Sequence, residues 1–490
     1  MTRTAITPKR KDDFSKWYLE AIKELVANSP VRGSMVFKPW GISVWEMIKN
    51  NLDKRFKKHD VENAYFPLLI PISFLEKEAK HIDGFAKECA VVTHHRLIQT
   101  DDGLQPDGKL EEPFVIRPTS ETIIGDVVKD WIHSYRDLPM KLNQWANIMR
   151  WEMKTKPFLR TSEILWQEGH TFHETASEAS NFAVSMLHEY ESLMRDSLCL
   201  DPILGIKVRS ETFPGAEETY TTECLLQDLK VLQNGTSHFL GQKFTKGFDI
   251  TYLKDNSHKH AWSTSWGVTT RLIGAMVMTH GDDDGLRLPP SITPYHVVII
   301  PVIKGDQSEE VVQYCHAIKD SLEKLYFNDQ PIRITIDMKN ETPQEKKWKW
   351  VRRGVPIRLE IGKRDMLNNS LCLQFRSEET SKKHFLPINE AAAEIQKNLV
   401  ELQSYLQMQS RHLNQNNTYN VKSIDEFNTA ISNGVGLILA TIADDDDIWN
   451  KIKTEHKFTP RCIKLDDITN WGECIFTGKK GRPTLLGKAY

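Results

Sequence analysis

Residues 143–170, NQWANIMRWEMKTKPFLRTSEILWQEGH, are the stretch that decides the fold. Two apolar-leaning runs flank a basic segment, which predicts two antiparallel strands joined by a loop of about eight residues. Arg150 and Glu152 alternate with apolar neighbours, so we expect them to share one strand face. Such a pair suits a ligand that is anionic at one end and donates hydrogen bonds at the other, such as a phosphate attached to a base and an amino acid. A structural ion pair is the alternative.

Length and composition indicate a multidomain globular protein. The chain has 490 residues, 40% hydrophobic and 27% charged, with a net charge of −2. This length predicts roughly three domains of ~150 residues. Because the chain is not basic overall, a nucleic-acid partner must be met by local basic patches.

Targeting signals and cysteines point to the cytoplasm. No apolar run approaches the ~20 residues that span a membrane. The first residues are charged and lack the apolar core of a signal peptide. The seven cysteines are odd in number and scattered, which is typical of reduced thiols in a cytosolic protein.

The residues before the central hairpin predict helices and one buried strand. Residues 12–28 and 42–58 have the pattern of amphipathic helices. The second helix leads into a strand within residues 61–71, which breaks at Pro67. Its near-continuous apolar character predicts burial in the core or against another subunit. Residues 101–112 read as a polar turn.

A strand that runs into a helix carries the first candidate binding pair. Residues 114–122 end in polar residues at the predicted junction. Thr119 and Glu121 together make a plausible site for an amine. The alternative is helix capping by Thr119 or Ser120.

After the hairpin, residues 174–197 predict a long helix, and residues 213–223 and 230–244 predict strands. Residues 261–278 predict a strand that becomes an apolar helix carrying Arg271. A guanidinium buried among small and apolar residues is costly unless it meets an anion. We therefore expect Arg271 to face a ligand, with an internal carboxylate as the alternative.

The pattern changes after the turn-rich residues 280–290. Strands and helices alternate over residues 291–405, which predicts a small, mostly parallel α/β domain. Its basic helix at 343–353 mixes cations with tryptophans, as readers of single-stranded RNA do, or is a solvated face. A Gln/Asn-rich joint at 407–417 leads to a last unit at 418–490.

Taken in order, these strings carry a family resemblance. The helix at 42–58 with the strand that ends at Pro67, Met149–Glu152 and Trp266–Arg271 are similar to the three loose motifs, 1 to 3, of class II aminoacyl-tRNA synthetases. Sharper strings occur at residues 117–122, 157–161, 166–170, 235–238 and 281–286. Along nearly its whole length the chain resembles the prolyl-tRNA synthetases, class II enzymes of the archaeal/eukaryotic type.

The resemblance implies a multidomain α+β and α/β fold. An antiparallel-sheet catalytic core would occupy residues 1–288, with motif 1 forming a homodimer interface. An α/β anticodon-binding domain would occupy residues 291–405. A small α+β domain, similar to the family's zinc domain, would occupy residues 418–490.

The implied reaction activates L-proline with ATP and Mg²⁺ and transfers it to tRNA(Pro). The resemblance makes Arg150 and Arg271 the catalytic residues, which bind phosphates. The implied ATP contacts are Arg150, Glu152, Arg160, Thr161, Leu165, Gln233, Thr236, Thr269 and Arg271, with Gln233 near the magnesium ion.

The resemblance also implies the proline pocket and the anticodon contacts. The implied proline contacts are Thr119, Glu121, Arg150, Trp166, Phe213 and His238, with Phe85 as a further aromatic wall. The implied readers of the anticodon guanines are Arg358, Glu360, Arg364 and Asp365. For each aromatic residue, an ordinary core position is the alternative.

The sequence departs from the family pattern at several positions. Core elements account for the segment between Glu152 and Arg271, so we expect no editing insertion. Two distant cysteines, Cys462 and Cys474, do not make a closed zinc site, so we expect no zinc. Ser162 and Cys89 differ from the expected arginine and valine. In relatives, the terminal residue that corresponds to Tyr490 reaches back toward the active site.

Two rival interpretations stay open from the sequence. One is a class II synthetase for another amino acid, such as threonine or glycine. The other is a synthetase-like RNA-binding or regulatory protein without activity. Loss of Arg150, Glu152 or Arg271 would favour the second rival, and all three are present.

Overall fold

The computed structural model describes residues 6–79, 88–303 and 308–490. The helices up to His280 are α1 (Phe14–Ala21), α2 (Pro39–Lys57), α3 (Ile72–Ala79), α4 (Glu121–Val128), α5 (Ala176–Ser192), α6 (Lys243–Gly247) and α7 (Arg271–His280). The strands of the same part are β1 (Val26–Asn28), β2 (Met35–Phe37), β3 (Glu62–Asn63), β4 (Leu69–Pro71), β5 (Val91–Thr100), β6 (Gly103–Ile116), β7 (Met140–Met149), β8 (Glu163–His173), β9 (Ile203–Ile206), β10 (Glu218–Leu225), β11 (Val231–Gly241), β12 (Thr251–Lys254), β13 (Ser257–His260) and β14 (Trp262–Thr269). Among the helices described, none is long and apolar enough to span a membrane.

A large antiparallel sheet forms the centre of this part. Its strands run in the order β9-β10-β11-β14-β8-β7, each antiparallel to its neighbour. The short β3 adds a parallel pairing to β7 at one edge. The predicted antiparallel core and the central pair β7–β8 are confirmed. Most of β8 is buried, because it lies between β14 and β7 and α5 packs against it.

Helix α2 shows how the sequence specifies the packing. Pro39 stands at its first turn, and basic residues occupy its last turn, as the helix dipole favours. Val44, Ile48 and Leu52 recur every four residues and are buried on one side. Helix α7 has no polar face: from Leu272 to its end every residue is buried, so it runs through the core.

The second part forms a smaller α/β unit. Its strands are β15 (Val297–Val302), β16 (Tyr326–Phe327), β17 (Gln330–Pro331), β18 (Ile334–Ile336), β19 (Ile357–Gly362), β20 (Ser370–Phe375) and β21 (His384–Pro387). Its helices are α8 (Ser308–Leu322), α9 (Pro343–Arg352), α10 (Lys363–Leu367) and α11 (Ile388–Asn416). In the sheet order β18-β15-β19-β20-β21 the first two pairings are parallel and the last two antiparallel. The expectation of a mostly parallel sheet is therefore wrong, because β19, β20 and β21 connect as a meander.

The third part packs onto the first. It contains β22 (Thr418–Val421), α12 (Ile424–Ser432), β23 (Leu437–Ile442), α13 (Asp446–His456), β24 (Thr459–Lys464), β25 (Gly472–Glu473) and β26 (Lys480–Gly487). Strand β24 pairs with β9 at Ile463–Ile206 and Lys464–Gly205, so its sheet continues the central sheet. The predicted joint at 407–417 is wrong, because nearly all of it lies in α11. That helix has a continuous buried stripe, which includes Leu399, Leu402 and Leu406 and stabilises it beyond the second part.

Three further local expectations are wrong in part. The predicted helix at 12–28 ends at Ala21, and a single turn leads into β1. The strand within 61–71 is split into β3, which is exposed, and β4, because Pro67 interrupts it. Residues 103–112 form a strand rather than a turn, because β6 pairs with β5 in an extended hairpin whose turn lies at residues 101–102.

An aspartate-rich loop, residues 281–285, joins the first two parts. The Asp282 carboxylate receives two hydrogen bonds from Arg376 and lies 2.9 Å from Nε of Arg287. Burial raises the pKa of Asp282, but the arginines outweigh it and hold that pKa at about 2. Gly285 and Gly354 have positive φ, and a side chain on either would collide with the backbone of the facing loop. The two glycines therefore let these loops lie in contact.

Buried histidines make the stability of the fold sensitive to acid. Burial lowers the pKa of His173 and His280 to about 4 and that of His296 to about 3. Below an unfolded pKa of about 6.5 the unfolded chain binds more protons than the folded chain, so acid destabilises the fold. We expect the free energy of unfolding, measured with urea, to fall steadily from pH 7 to pH 4.5.

A matched pair of variants isolates the histidine contribution. His280→Asn is expected to reduce this pH dependence, because one buried titrating group is removed. The exposed His412 serves as the control, and His412→Asn is expected to leave the pH dependence unchanged. A free energy of unfolding that stays constant between pH 7 and pH 5 contradicts this account.

Candidate functional site

A cavity of about 510 Å³ opens above the central sheet. Strands β8, β10, β11 and β14 form its floor, and residues 210–214 form one wall. Ten of the residues singled out from the sequence line it together: Thr119, Glu121, Arg150, Trp166, Phe213, Gln233, Thr236, His238, Thr269 and Arg271. Residues far apart in sequence therefore meet in one place.

The register of the sheet explains which side chains reach the cavity. Thr219, His238, Ser265 and His170 face one another across four strands. Two residues further along, the same strands align Thr221, Thr236, Gly267 and Glu168. Because side chains alternate between faces, both rows lie on the same side of the sheet. The floor is thus an array of polar side chains in two rows, interrupted at Gly267.

A buried polar network surrounds Glu121 at one end of the cavity. The Thr119 hydroxyl donates to the Glu121 carboxylate, which is 8% exposed. Ser120 donates to Glu168 at 2.5 Å and does not cap α4 with its side chain. The capping alternative is therefore wrong for Ser120. The Thr119 hydroxyl is likewise bonded to the Glu121 side chain. A buried carboxylate beside a hydroxyl is suited to a cationic amine.

The pKa values of the two floor histidines are shifted in opposite directions. Burial lowers the pKa of His170, but the hydrogen bond to Glu168 at 3.2 Å and the nearby Glu121 outweigh this and raise it. Burial, with a smaller effect of His170, lowers the pKa of His238 to about 3. Neutral His238 packs against the Phe213 ring, with ring centroids 4.5 Å apart. This pair gives an uncharged aromatic wall opposite the carboxylates.

Arg150 lies just beyond the end of β7. The expectation that Arg150 and Glu152 project from one strand face is wrong, because β7 ends at Met149 and the connecting loop spans residues 150–162. Nε of Arg150 donates to the Pro118 carbonyl at 2.8 Å, and its guanidinium lies 5.6 Å from the Trp166 ring centre. Burial lowers its pKa despite the charges of Glu121 and Glu168. The guanidinium is thus held at the cavity edge.

Arg271 begins α7 and lies at the opposite end of the cavity. Nη1 donates to the Gln233 carbonyl at 3.0 Å, and within the described chain buried Nε has no hydrogen-bond partner. Burial, with the charges of Arg150 and Arg160, lowers its pKa to about 10. Among the described residues no carboxylate forms an ion pair with Arg271, although the charge of nearby Glu223 acts to raise its pKa. The group is placed to bind an anion.

Four predicted ATP contacts do not line the cavity. Glu152 accepts a hydrogen bond from Lys154 N at 2.8 Å, and Arg160 is exposed within the same loop. Thr161 faces a separate cavity beside residues 19–38. Leu165 lies between Ile164 and Trp166 on β8, so its side chain points to the other face of the sheet. Phe85 lies outside the described residues.

The last residue contacts the same loop. The Tyr490 ring lies between the ammonium groups of Lys156 and Lys230, at 4.4 Å and 4.6 Å from the ring centre. Its hydroxyl donates to Asp228, and its backbone N donates to the Val231 carbonyl at 3.2 Å. Tyr490 therefore contacts the 150–162 loop through Lys156 and does not line the cavity.

The cavity offers neutral oxygen donors for a metal ion. Gln233 and Thr236 line it near Arg271. In the described part of the chain no cluster of three or more His, Cys, Asp or Glu residues can hold a metal. Magnesium commonly takes one or two protein ligands and completes its shell with water and substrate phosphates, so these donors fit a phosphate-bound ion.

Several cavity residues were missed at the sequence level. Glu168 and His170 follow Trp166 at a spacing of two along β8, and this period was the signal that identifies them. Lys207 and Asn234 also line the cavity. No local pattern indicates Lys207, because its place depends on the pairing of β9 with β10.

The predicted anticodon contacts are partly brought together. Glu360, Arg364 and Asp365 line a second cavity of about 390 Å³, where Lys383 also bonds to Glu360. Arg358 does not line it. Its side chain is 1% exposed, and none of its three guanidinium nitrogens has a hydrogen-bond partner among the described residues.

The basic helix α9 is only partly available to a ligand. Lys349 forms ion pairs with Asp337 and Glu341, both at 2.6 Å. Lys346 donates to the Asp337 carbonyl at 2.8 Å, and Trp350 donates to the Asp337 carboxylate at 2.7 Å. Arg352 and Arg353 form ion pairs with Glu24. Most of the cation–aromatic pattern therefore stabilises the fold, and neither the RNA interpretation nor the solvated-face alternative describes the whole helix.

Comparison with known proteins identifies the family of these two regions. Residues 105–280 match the class II core domain of tRNA synthetases (G, H, P, S and T), and residues 296–398 match an anticodon-binding domain. Over its whole length the chain is 46% identical to a proline--tRNA ligase of Rhodopirellula baltica, covering 98% of that protein. It is 45% identical to that of Bdellovibrio bacteriovorus, with full coverage of both chains. It is 46% identical to that of Amoebophilus asiaticus, with 99% of each covered.

Proposed function

The chain belongs to the proline--tRNA ligases, an enzyme family of class II aminoacyl-tRNA synthetases, and from this premise we propose how its cavity works. The enzyme activates L-proline with ATP and transfers the prolyl group to tRNA(Pro). In the first step a proline carboxylate oxygen bonds to the α-phosphorus, and the bond to pyrophosphate breaks. In the second step a terminal ribose hydroxyl of the tRNA takes the prolyl group, and AMP leaves.

The observation that carries this mechanism is the separation of charge across one cavity. Glu121 lies at one end, and the guanidinium of Arg271, which has no carboxylate partner among the described residues, lies at the other. Arg150 lies between them, within the electrostatic reach of both. A zwitterionic amino acid joined to a nucleotide phosphate has the complementary pattern of charge.

The proposed proline end contains Thr119, Glu121, Trp166, Phe213 and His238. Thr119 and Glu121 would hold the secondary ammonium group of proline. Trp166, Phe213 and neutral His238 would contact the ring, because an uncharged aromatic surface favours an apolar ring. Such a wall separates proline poorly from residues of similar size, so alanine and cysteine are the expected errors.

The proposed nucleotide end depends on charge stabilisation. Arg150 would bridge the α-phosphate and the proline carboxylate, which holds the reacting atoms together. Arg271, with Thr269 beside it, would bind the far phosphate or stack on adenine. Gln233 and Thr236 would hold a magnesium ion that neutralises phosphate charge.

The 150–162 loop is proposed to close over ATP. Glu152 would approach the adenine amino group, and Arg160 and Thr161 would approach the pyrophosphate end. None of the three lines the cavity in the described conformation, so this role requires the loop to move. Leu165 would contribute through its backbone, since its side chain faces away.

Removing the charge of Glu121 is expected to weaken proline binding. Glu121→Gln loses a charge-assisted hydrogen bond of roughly 1.5–3 kcal/mol, so KM for proline should rise about 10- to 100-fold while KM for ATP changes little. Pyrophosphate exchange with each substrate varied in turn measures both. The exposed Glu163, outside the cavity, supplies the control variant Glu163→Gln. An unchanged KM for proline in Glu121→Gln removes Glu121 from the site.

The second cavity is proposed to receive the anticodon of tRNA(Pro). Glu360 and Asp365 would accept hydrogen bonds from guanine amino groups, and Arg364 would donate to base acceptors. Arg358 is buried, and its guanidinium donors have no partner in the part of the chain that the structure describes; a base or phosphate that reaches it would satisfy them.

Several broader features are also proposals. We assign residues 1–288 to the catalytic domain, 291–405 to the anticodon-binding domain and 418–490 to a C-terminal domain without zinc. The elements between Glu152 and Arg271 leave no room for an editing domain. This supports the archaeal/eukaryotic-type architecture, which the chain would share with relatives from bacteria. A homodimer formed through motif 1, the helix at 42–58 with the strand that ends at Pro67, and a cytoplasmic location complete the proposal.

Aminoacylation of tRNA(Pro) tests the function. The purified protein, with ATP and magnesium, is expected to attach labelled proline to a tRNA(Pro) transcript and not to a tRNA(Thr) transcript. Absence of charging of tRNA(Pro), in a preparation that forms the adenylate, would contradict the transfer step.

A further inference from the structure

A buried ionic cluster lies beside the nucleotide end of the cavity. Glu223 is fully buried, and its two carboxylate oxygens bind different cations. Oε1 accepts from Lys207 Nζ at 2.8 Å, and Oε2 accepts from Arg461 at 2.7 Å and 3.0 Å. Lys207 Nζ also donates to the Arg461 carbonyl at 2.9 Å. The three residues therefore form one connected unit.

The cluster combines residues from two parts of the chain. Glu223 and Lys207 belong to the first part, whereas Arg461 lies on β24 in residues 418–490. Lys207 also lines the cavity. Glu223 lies opposite Gln233 in the sheet, and Arg271 donates to the Gln233 carbonyl. Arg461 thus reaches the surroundings of Arg271 without lining the cavity itself.

The charges of the cluster do not cancel. Burial raises the pKa of Glu223, but Lys207 and Arg461 outweigh this and hold it below its ordinary value, so the carboxylate is ionised. One carboxylate then faces two cations, which leaves an excess of one positive charge close to Arg271. Without Arg461, Lys207 and Glu223 would neutralise each other. A buried excess charge is costly unless an anion compensates it, and a triphosphate is such an anion.

We propose that Arg461 is a positioning residue for ATP: by neutralising Glu223 it leaves the charges of Lys207 and Arg271 available to the phosphates. The C-terminal part of the chain then contributes to nucleotide binding through charge. This inference rests on the proposed function. The excess positive charge would favour any polyphosphate ligand and does not depend on proline. The test therefore varies the concentrations of ATP and proline separately.

Two substitutions change the charge of the cluster in opposite directions. Arg461→Met removes the excess positive charge, and KM for ATP in proline-dependent pyrophosphate exchange should rise about tenfold, as one unit charge at ~10 Å predicts for an effective dielectric constant of about 20. Glu223→Gln adds one unit to the excess, so KM for ATP should fall. The double variant restores the wild-type excess, and its KM for ATP should return to within about twofold of wild type. KM for proline is expected to stay constant throughout.

Controls separate charge from folding. Arg461→Lys keeps the charge and should preserve KM for ATP even if its thermal stability falls. Arg482 lies on β26 against Trp471, and Arg482→Met should leave both KM values unchanged. If Arg461→Met does not fold, Glu223→Gln decides the question, because only the charge account predicts a lower KM for ATP in that variant. An unchanged or higher KM for ATP in Glu223→Gln, or equal rises for ATP and proline in Arg461→Met, overturns the proposal. Absence of exchange in the wild-type enzyme instead contradicts the proposed function.

Discussion

Arg150→Ala is expected to reduce proline-dependent pyrophosphate exchange by on the order of 10²–10³-fold, the loss typical when one preorganised donor to a developing charge is removed. The guanidinium is fixed by its bond to the Pro118 carbonyl and by the Trp166 ring. It therefore needs little reorganisation when charge develops on phosphorus. Exchange measured at saturating ATP and proline gives the size of the effect.

Binding measurements separate this loss from misfolding. Affinity for tRNA(Pro) should stay close to wild type in Arg150→Ala, because the second cavity does not contain Arg150. Arg150→Lys should rescue little, since an ammonium group cannot donate to two anionic groups in a fixed plane. The exposed Arg136 supplies the control, and Arg136→Ala should behave as wild type. Near-normal exchange in Arg150→Ala would exclude Arg150 from the mechanism.

Arg271→Met is expected to reduce exchange on the order of 10²-fold without lowering the thermal midpoint of unfolding. In the described part of the chain, the buried Nε of Arg271 has no hydrogen-bond partner and no carboxylate forms an ion pair with its guanidinium. Such a charge destabilises the free enzyme, and an apolar chain of similar length relieves that cost. Differential scanning calorimetry and exchange on the same preparation give both quantities.

The outcome of Arg271→Met distinguishes two roles for this residue. A large loss of exchange with an unchanged or higher midpoint identifies a functional charge that the fold tolerates at a cost. A lower midpoint with unchanged exchange would show that Arg271 is structural and would contradict its assignment to the phosphates. The KM for ATP should rise more than the KM for proline, because Arg271 lies away from Glu121.

The candidate site could be predicted from short periodic patterns. Thr119 and Glu121 were identified from a strand-to-helix junction, and Arg271 from a charge at the start of an apolar helix. The resemblance added His238 and Phe213, and the structure brings all five into one cavity. Local patterns identify residues on separate segments of the chain. The register of the sheet then brings these segments next to one another in the cavity.

Features that depend on distant pairing could not be predicted. Whether residues 103–112 turn or extend depends on their partner β5, and both readings suit a polar sequence. Arg150 and Glu152 lie in a loop because β7 pairs with β8 only as far as Met149. The contacts among Lys207, Glu223 and Arg461 depend on the pairing of β24 with β9. No local sequence pattern predicts that pairing.

Proline-dependent exchange of labelled pyrophosphate into ATP tests the central claim most directly. The wild-type enzyme is assayed with each of the common amino acids in turn, at equal concentration and with magnesium. We expect strong exchange with proline, weak exchange with alanine and cysteine, and none above background with threonine or glycine. Exchange with another amino acid and none with proline would contradict the assignment of the cavity to prolyl-adenylate formation.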